Sequence, residues 1–234
     1  MNLILLFEED FVAPGVAHLR GRRLTHVTEV HRAAVGESLV VGLSGGHIGT
    51  GVVTRLDDVL ELQVTLDRNP PAPLPLILIL ALPRPKVLNR VIASATSLGV
   101  KHIALVNAWR VEKSYWKSPR LSAENLHEQR ILGLEQARDT VLPTITQHRL
   151  FRPFVEDELP SIARDSLSLV AHPVAARECP RAVSTPVTLA IGPEGGFIAQ
   201  EVESLARIGF APVTLGERVL RVETAVAALI SRLF

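Results

Sequence analysis

Cysteine occurs once in the 234 residues, at Cys179, which excludes an intrachain disulfide and suits a reducing compartment. The cytoplasm is therefore the expected location. Long apolar runs are missing as well: the longest unbroken one, Leu76 to Leu82, is far below the roughly 20 residues that a helix needs to span a bilayer. No membrane partner is expected. The start, MNLILLFEED, sets a short apolar run ahead of Glu8, Glu9 and Asp10, whereas a secretory signal has basic residues first and a longer apolar region. It reads as a first strand. Net charge is nearly absent too, at +1, so affinity for nucleic acid has to come from local patches. One glycine-bearing stretch, LAIGPEGGF at Leu189 to Phe197, carries neither the Gly-Lys-Ser/Thr of a phosphate loop nor the spaced glycines of a dinucleotide turn.

The pieces that are present fall into two groups. Up to about residue 66 the chain shows short β-rich segments, Leu39 to Leu43, Ile48 to Leu56 and Leu60 to Leu66, separated by Ser44-Gly45-Gly46 and Asp57-Asp58. They suggest a small β-barrel, interrupted by one helix-like stretch, Leu24 to Ala34. Four prolines between Asn69 and Pro75 then make a stiff extended spacer that suits neither a helix interior nor a central strand. The expected division is a domain at 1–70 and a second at 74–234.

Beyond the spacer the period changes. Leu76 to Leu82 reads as a buried strand, Leu88, Val91, Ile92, Ala95 and Leu98 recur at helical spacing before Gly99, and Ile103 to Val106 reads as another strand. A polar helix is predicted over Ser122 to Arg138 and a weaker one over Val155 to Arg164. Strands are predicted at Leu167 to Ala171, Val187 to Ile191 and Pro212 to Leu215, and helices at Ile198 to Ile208 and Glu223 to Leu233. Alternation of this kind implies an α/β domain with a mainly parallel sheet covered by helices.

Charge is distributed unevenly. Between Arg84 and Arg120 the basic residues Arg84, Lys86, Arg90, Lys101, Arg110, Lys113, Lys117 and Arg120 face one acid, Glu112. Between Gly15 and Val35, Arg20, Arg22, Arg23 and Arg32 face only Glu29, with His18, His26 and His31 interspersed. Each patch could follow a phosphate backbone or be a solvated face. Trp109, Tyr115 and Trp116 lie in the first of these and could stack bases. Trp109 closes a strand-like run and is expected to be buried, and Tyr115 and Trp116 beside Lys113 and Lys117 to be exposed.

In an open parallel sheet, ligands bind at the carboxyl ends of the strands. Gly192 to Gly196 falls there if Val187 to Ile191 is a strand. Glycines let a flat ligand lie on the main chain, and free N-H groups at the following helix start can donate to it. A second stretch, LGERVLRVETA at Leu215 to Ala225, also follows a strand and ends at a helix start. The two loops look like parts of one pocket. Arg221, set among Val219, Leu220 and Val222, is expected to be buried or half-buried with an anionic partner. Glu223 reads equally as a first-turn acid opposing the helix dipole.

IGPEGGF, a helix, and then LGERVLRVETA resemble the signature of the bacterial methyltransferases that modify N3 of a uridine in 16S rRNA, members of the SPOUT class. The resemblance extends to Thr25 to Glu37, with His26, Val30, Arg32 and Gly36-Glu37, which is similar to the family's PUA-like amino-terminal domain, and to Leu98-Gly99-Val100 and Glu135-Gln136 with Pro143. It implies a carboxyl-terminal domain with a trefoil knot, S-adenosylmethionine as methyl donor, 16S rRNA or the small ribosomal subunit as partner, a homodimer, and no metal. By the same resemblance the donor is held by His172, Pro173, Ile191, Gly192, Pro193, Gly195, Gly196, Leu215, Gly216, Val219, Leu220, Val222, Thr224 and Ala225. Arg221 is expected either to stabilise charge on the uridine or to grip a phosphate, and Glu194 either to accept the N3 proton or to orient the donor. His172 could place its ring against the adenine or be structural. Arg22, Arg23, His26, Arg32, Lys86, Arg90, Arg110 and Lys113 are the expected RNA contacts. Where the family has a lysine and a glutamate before Leu-Gly-Val, this chain has Ser94 and Ser97. Its arginine after Glu-Gln falls on Asp139, and the threonine of LRTETA is Val222. These departures motivate two alternatives, methylation of another RNA position and a non-catalytic RNA-binding or ribosome-assembly protein.

Overall fold

The computed structural model describes residues 2–234. Its contacts divide the chain into two compact units: the described residues up to Ala72 together with Arg130–Leu142, and Pro73–Gln129 together with Pro143–Phe234.

The first unit is built on a six-stranded sheet of β1 (Ile4–Leu6), β2 (Phe11–Ala13), β3 (Val16–Leu19), β4 (Ser38–Leu43), β5 (Ile48–Leu56) and β6 (Leu60–Arg68), in the order β1-β4-β5-β6-β3-β2. Only the β1–β4 pair is parallel. Alternation along β5 and β6 turns Val53, Leu60, Leu62 and Val64 inward onto Ile4, Leu6, Leu19 and Val41, the half-buried pattern of an antiparallel sheet. The stretch expected as a helix at Leu24 to Ala34 is α1 (Arg22–Thr25) passing into a wider π-helical turn, His26–His31, that ends at Arg32 in a left-handed conformation, φ 53°. The Thr28 hydroxyl donates to the carbonyls of Leu24 (3.1 Å) and Thr25 (3.0 Å), a back-bonding that competes with regular helix geometry.

The second unit holds an all-parallel sheet of β7 (Leu76–Ala81), β8 (His102–Val106), β9 (Thr144–His148), β10 (Leu167–Ala171), β11 (Val187–Ile191) and β12 (Ala211–Val213), in the order β12-β10-β11-β7-β8-β9. The expected strand-helix-strand unit is β7, α2 (Pro85–Ser97) and β8, with Pro85 in the first turn, Leu88, Val91, Ile92 and Ala95 buried, and Gly99 at φ +89° just past the end. The polar helix is α3 (Ala123–Ala137). The weaker one is a composite: α4 (Phe151–Pro153), a π-helical turn at Phe154–Glu158, and α5 (Leu159–Ile162). α6 (Ala199–Arg207) and α7 (Val222–Leu233) complete the cover. All five residues of β11 are buried, and the unit's core runs from Leu78, Leu80 and Leu105 through Leu189 to Val226 and Leu229. Among the described residues no helix is long and apolar enough to cross a membrane, and no cluster of His, Cys, Asp and Glu could hold a metal.

Candidate active site

β10, β11 and β12 run parallel and side by side with β7, in register from Leu76↔Val187 onward, so their carboxyl ends lie together at one edge of the second unit. The loops leaving those ends enclose a cavity of about 160 Å³. The His172 amide donates to the Val213 carbonyl (2.9 Å), and Thr214 is pinned on the other side, donating to Arg177 (2.8 Å) and accepting from Cys179 (2.8 Å). The strand expected at Pro212 to Leu215 is β12, followed by an isolated bridge between Thr214 and Glu178.

The glycines of the middle loop have different reasons to be glycine. A Cβ on Gly192 would lie 2.7 Å from the Phe197 amide nitrogen and 3.1 Å from Gly196, so the loop folds back on itself there only without a side chain. Gly196 adopts φ +71° with open space around it, a backbone requirement rather than a steric one. At Gly195 the carbonyl accepts from the Arg110 guanidinium, whose stem would meet a Cβ at 2.8 Å. The Glu194 carboxylate accepts the Arg84 amide N-H at 2.9 Å, tying the loop to the start of α2. Behind it Glu201, only 6% exposed, accepts the amides of Ile198 (2.9 Å) and Trp109 (2.7 Å).

Of the residues expected to hold a methyl donor, His172, Pro173, Ile191, Gly192, Pro193, Gly195, Gly196, Leu215, Val219, Leu220, Val222 and Ala225 line this one cavity, with Glu194. Gly216 and Thr224 stand outside the lining. So does Arg221, and its surroundings correct the expectation of burial. It is the exposed residue capping α7, φ −65°, and its guanidinium makes no hydrogen bond or ion pair among the described residues. Its apolar neighbours misled because Val219 and Leu220 are themselves exposed on a loop. Glu223, one turn-position later, pairs with Arg90 at 3.6 Å. Ala171 and Arg218, which belong to the same expected loops, line it too, and the sequence reading missed Val213, Thr214 and Leu229. Leu229 follows Val222 and Ala225 at helical spacing, so a signal existed for it.

The aromatic expectation is reversed. Trp109 is 79% exposed, whereas Tyr115 and Trp116 are half-buried against the core. The Trp116 indole donates to the Asn107 side chain at 2.9 Å. Among the expected RNA contacts of this unit, Lys86, Arg90, Arg110 and Lys113 are exposed. In the first unit Arg32 is exposed, Arg22 pairs with buried Glu135 (2.9 Å), and Arg23 grips Asp10 through both nitrogens at 2.6 Å while donating to the Leu5 carbonyl. Breaking that last pair would leave a buried carboxylate at a cost of about 3–5 kcal/mol. His26 packs edge-to-face on His31 with ring centroids 4.9 Å apart, and burial lowers its pKa below the ordinary 6.5.

An RNA methyltransferase domain model matches residues 70–234. Over 97% of its length the chain is 32% identical to the ribosomal RNA small subunit methyltransferase E of Treponema pallidum, covering 88% of that protein. It is 25% identical to the corresponding enzyme of Synechocystis over 94% of its length and 73% of the relative's. The crystal structure of a ribosomal RNA small subunit methyltransferase E from Neisseria gonorrhoeae bound to S-adenosylmethionine superposes with a TM-score of 0.75 at 25% identity, covering 98% of this chain and 95% of that one. A Legionella pneumophila protein solved with the same bound cofactor gives 0.74 at 25% identity, covering 99% and 96%.

Proposed function

Because the chain belongs to the ribosomal RNA small subunit methyltransferase E family, we infer that it methylates small-subunit rRNA with S-adenosylmethionine, and we propose N3 of a uridine as the acceptor. One observation carries the reading: three strand-end loops close a single cavity with a glycine main chain on one side and, on the others, mostly apolar side chains joined by His172, Thr214 and Arg218. S-Adenosylmethionine has no phosphate, so a cradle without lysine and with exposed glycine main chain suits its adenine and ribose. At Gly192 the space that a Cβ would need is already taken by the loop itself, which holds that main chain in place. When bound, the cofactor supplies an electrophilic methyl group.

The protein's own residues supply the rest. N3 lies on the pairing edge of uracil, so the base has to be unpaired or turned out of its stack to be reached. Its proton passes to solvent water, and negative charge spreads to O2 and O4. The uncommitted guanidinium of Arg221, held at the start of α7, can donate two parallel hydrogen bonds to that charge or to an adjacent phosphate. Glu194 already accepts the Arg84 amide, which supports a part in shaping the loop and orienting the cofactor over a part in proton transfer. The finer architecture belongs to the same proposal: a SPOUT-class methyltransferase domain at 74–234 with a trefoil knot, a PUA-like RNA-gripping domain at 1–70, and a cytoplasmic homodimer.

Two measurements test this. Calorimetry should show S-adenosylmethionine binding to the purified protein, and its absence would remove the enzyme reading altogether. Mass spectrometry of 16S rRNA nucleosides from a strain lacking the gene should show loss of one N3-methyluridine that returns with the gene. Loss of a different methylated nucleoside would keep the enzyme and overturn the acceptor.

A further inference from the structure

The most exposed aromatic side chain of the second unit sits on one of its most tightly held turns. β8 ends at Val106, and the next residue, Asn107, donates its amide to the His148 carbonyl at 2.9 Å. Ala108 and Val111 on either side are buried and joined by a 3.0 Å amide-to-carbonyl bond. Between them the Trp109 amide donates to the buried Glu201 carboxylate at 2.7 Å, and the Arg110 guanidinium donates to the Gly195 carbonyl of the cavity loop. Three amides of this turn, those of Asn107, Trp109 and Val111, are bonded within the unit, yet the indole it carries is 79% exposed. Trp116, in contrast, is half-buried with its ring nitrogen bonded. A flexible tip could leave a tryptophan in water by default, but here the backbone from which the indole projects is held by the Glu201 bond.

The surroundings select the partner. Arg84, Lys86, Arg110 and Lys113 are exposed on the same segment, with Glu112 as its one acid. A segment of exposed cations with an exposed indole on an anchored turn fits a polyanion with flat aromatic faces, which is single-stranded nucleic acid. We propose that Trp109 is a stacking platform for an unpaired base next to the acceptor nucleotide, directed there by its neighbour Arg110, which binds the cavity loop. This rests on the RNA-methylation reading above. It adds a positioning residue that neither the cavity nor the glycine loops contain.

The test uses the full-length protein and three variants, Trp109→Ala, Trp109→Phe and Trp116→Phe. A short single-stranded oligouridylate should quench tryptophan emission in the wild type and in Trp116→Phe but not in Trp109→Phe. Affinity for the oligonucleotide should fall about tenfold in Trp109→Ala and be largely restored by phenylalanine, which still stacks. S-Adenosylmethionine binding should be the same in all four proteins. On small-subunit RNA, KM should rise about tenfold in Trp109→Ala with kcat little changed. Equal RNA affinity and KM in Trp109→Ala and wild type would overturn the proposal. So would a loss that tracks dissociation of a dimer in sedimentation, which would make the indole a subunit contact, or a loss of cofactor binding, which would make it packing. If the wild type binds the cofactor and methylates no RNA, the functional reading fails, while the fluorescence titration still decides on Trp109.

Discussion

At Gly192 a single methyl group separates a formed cavity loop from a distorted one. The added Cβ would approach backbone atoms of Gly196 and Phe197 at 2.7–3.1 Å, and backbone cannot swing aside as a side-chain tip can. Gly192→Ala should therefore weaken S-adenosylmethionine binding by tenfold or more, taking overpacking at about 1–3 kcal/mol. Gly196→Ala meets no atom within 4 Å and has only its φ of +71° to resolve, about 1 kcal/mol, so its loss should be the smaller. Calorimetric titration of both variants ranks them, and equal affinities would contradict the steric assignment. In the sequence these glycines suit an ordinary tight turn between a strand and a helix as well as a ligand cradle, and it is the second strand-end loop, Leu215 to Ala225, that points to a shared pocket. Arg221 and Trp109 were misjudged for a common reason. Burial was inferred from apolar neighbours along the chain, but Val219 and Leu220 are exposed on a loop and Trp109 lies beyond the end of β8. Which neighbours a residue has in space is set by the loop's path, which local pattern does not contain.

Among the elements, α6 shows how one side chain can join two loops. Glu201 is the third residue of the helix; it reaches back to the Ile198 amide and outward to the Trp109 amide while nearly excluded from water. Glu201→Ala would strand two donors and should destabilise the second unit by about 2–3 kcal/mol. Glu201→Gln keeps one accepting oxygen and should cost roughly half as much. Urea unfolding followed by tryptophan emission measures both, and an alanine variant as stable as wild type would show that water replaces the carboxylate. The helices themselves were legible: α2 and α7 carry apolar stripes at the helical period because each covers the sheet with one face. The strands that escaped were β2, β3 and β9. β2 and β3 have three and four residues, too short for alternation to register. β9, Thr-Ile-Thr-Gln-His, is an outer strand of its sheet with mostly exposed side chains, so it lacks the continuous apolar run of β7 or β11. The composite helix at 151–162 read weakly because Pro153 and Pro160 interrupt its pattern.

For the molecule as a whole, the proline spacer marked a change of period that the structure shows as a change of sheet type, mainly antiparallel before it and all-parallel after it. The return of Arg130–Leu142 to the first unit had no such marker, since a continuous helix, α3, carries the chain through residue 130 without a break in pattern. Each unit has a buried core of its own residues, and the cavity is lined only by residues of the second. Both tryptophans, Trp109 and Trp116, also belong to the second unit, so intrinsic fluorescence reports on the part that holds the cavity. A ligand that binds only the folded form stabilises it by about 2.7 kcal/mol at one hundred times its Kd. For a unit of this size that corresponds to a rise of roughly 5–10 °C in the fluorescence-detected midpoint. The rise should grow with the logarithm of cofactor concentration and fall to about half or less in Gly192→Ala at that same concentration. A midpoint in the wild type that ignores S-adenosylmethionine would mean that the three strand-end loops close around something else.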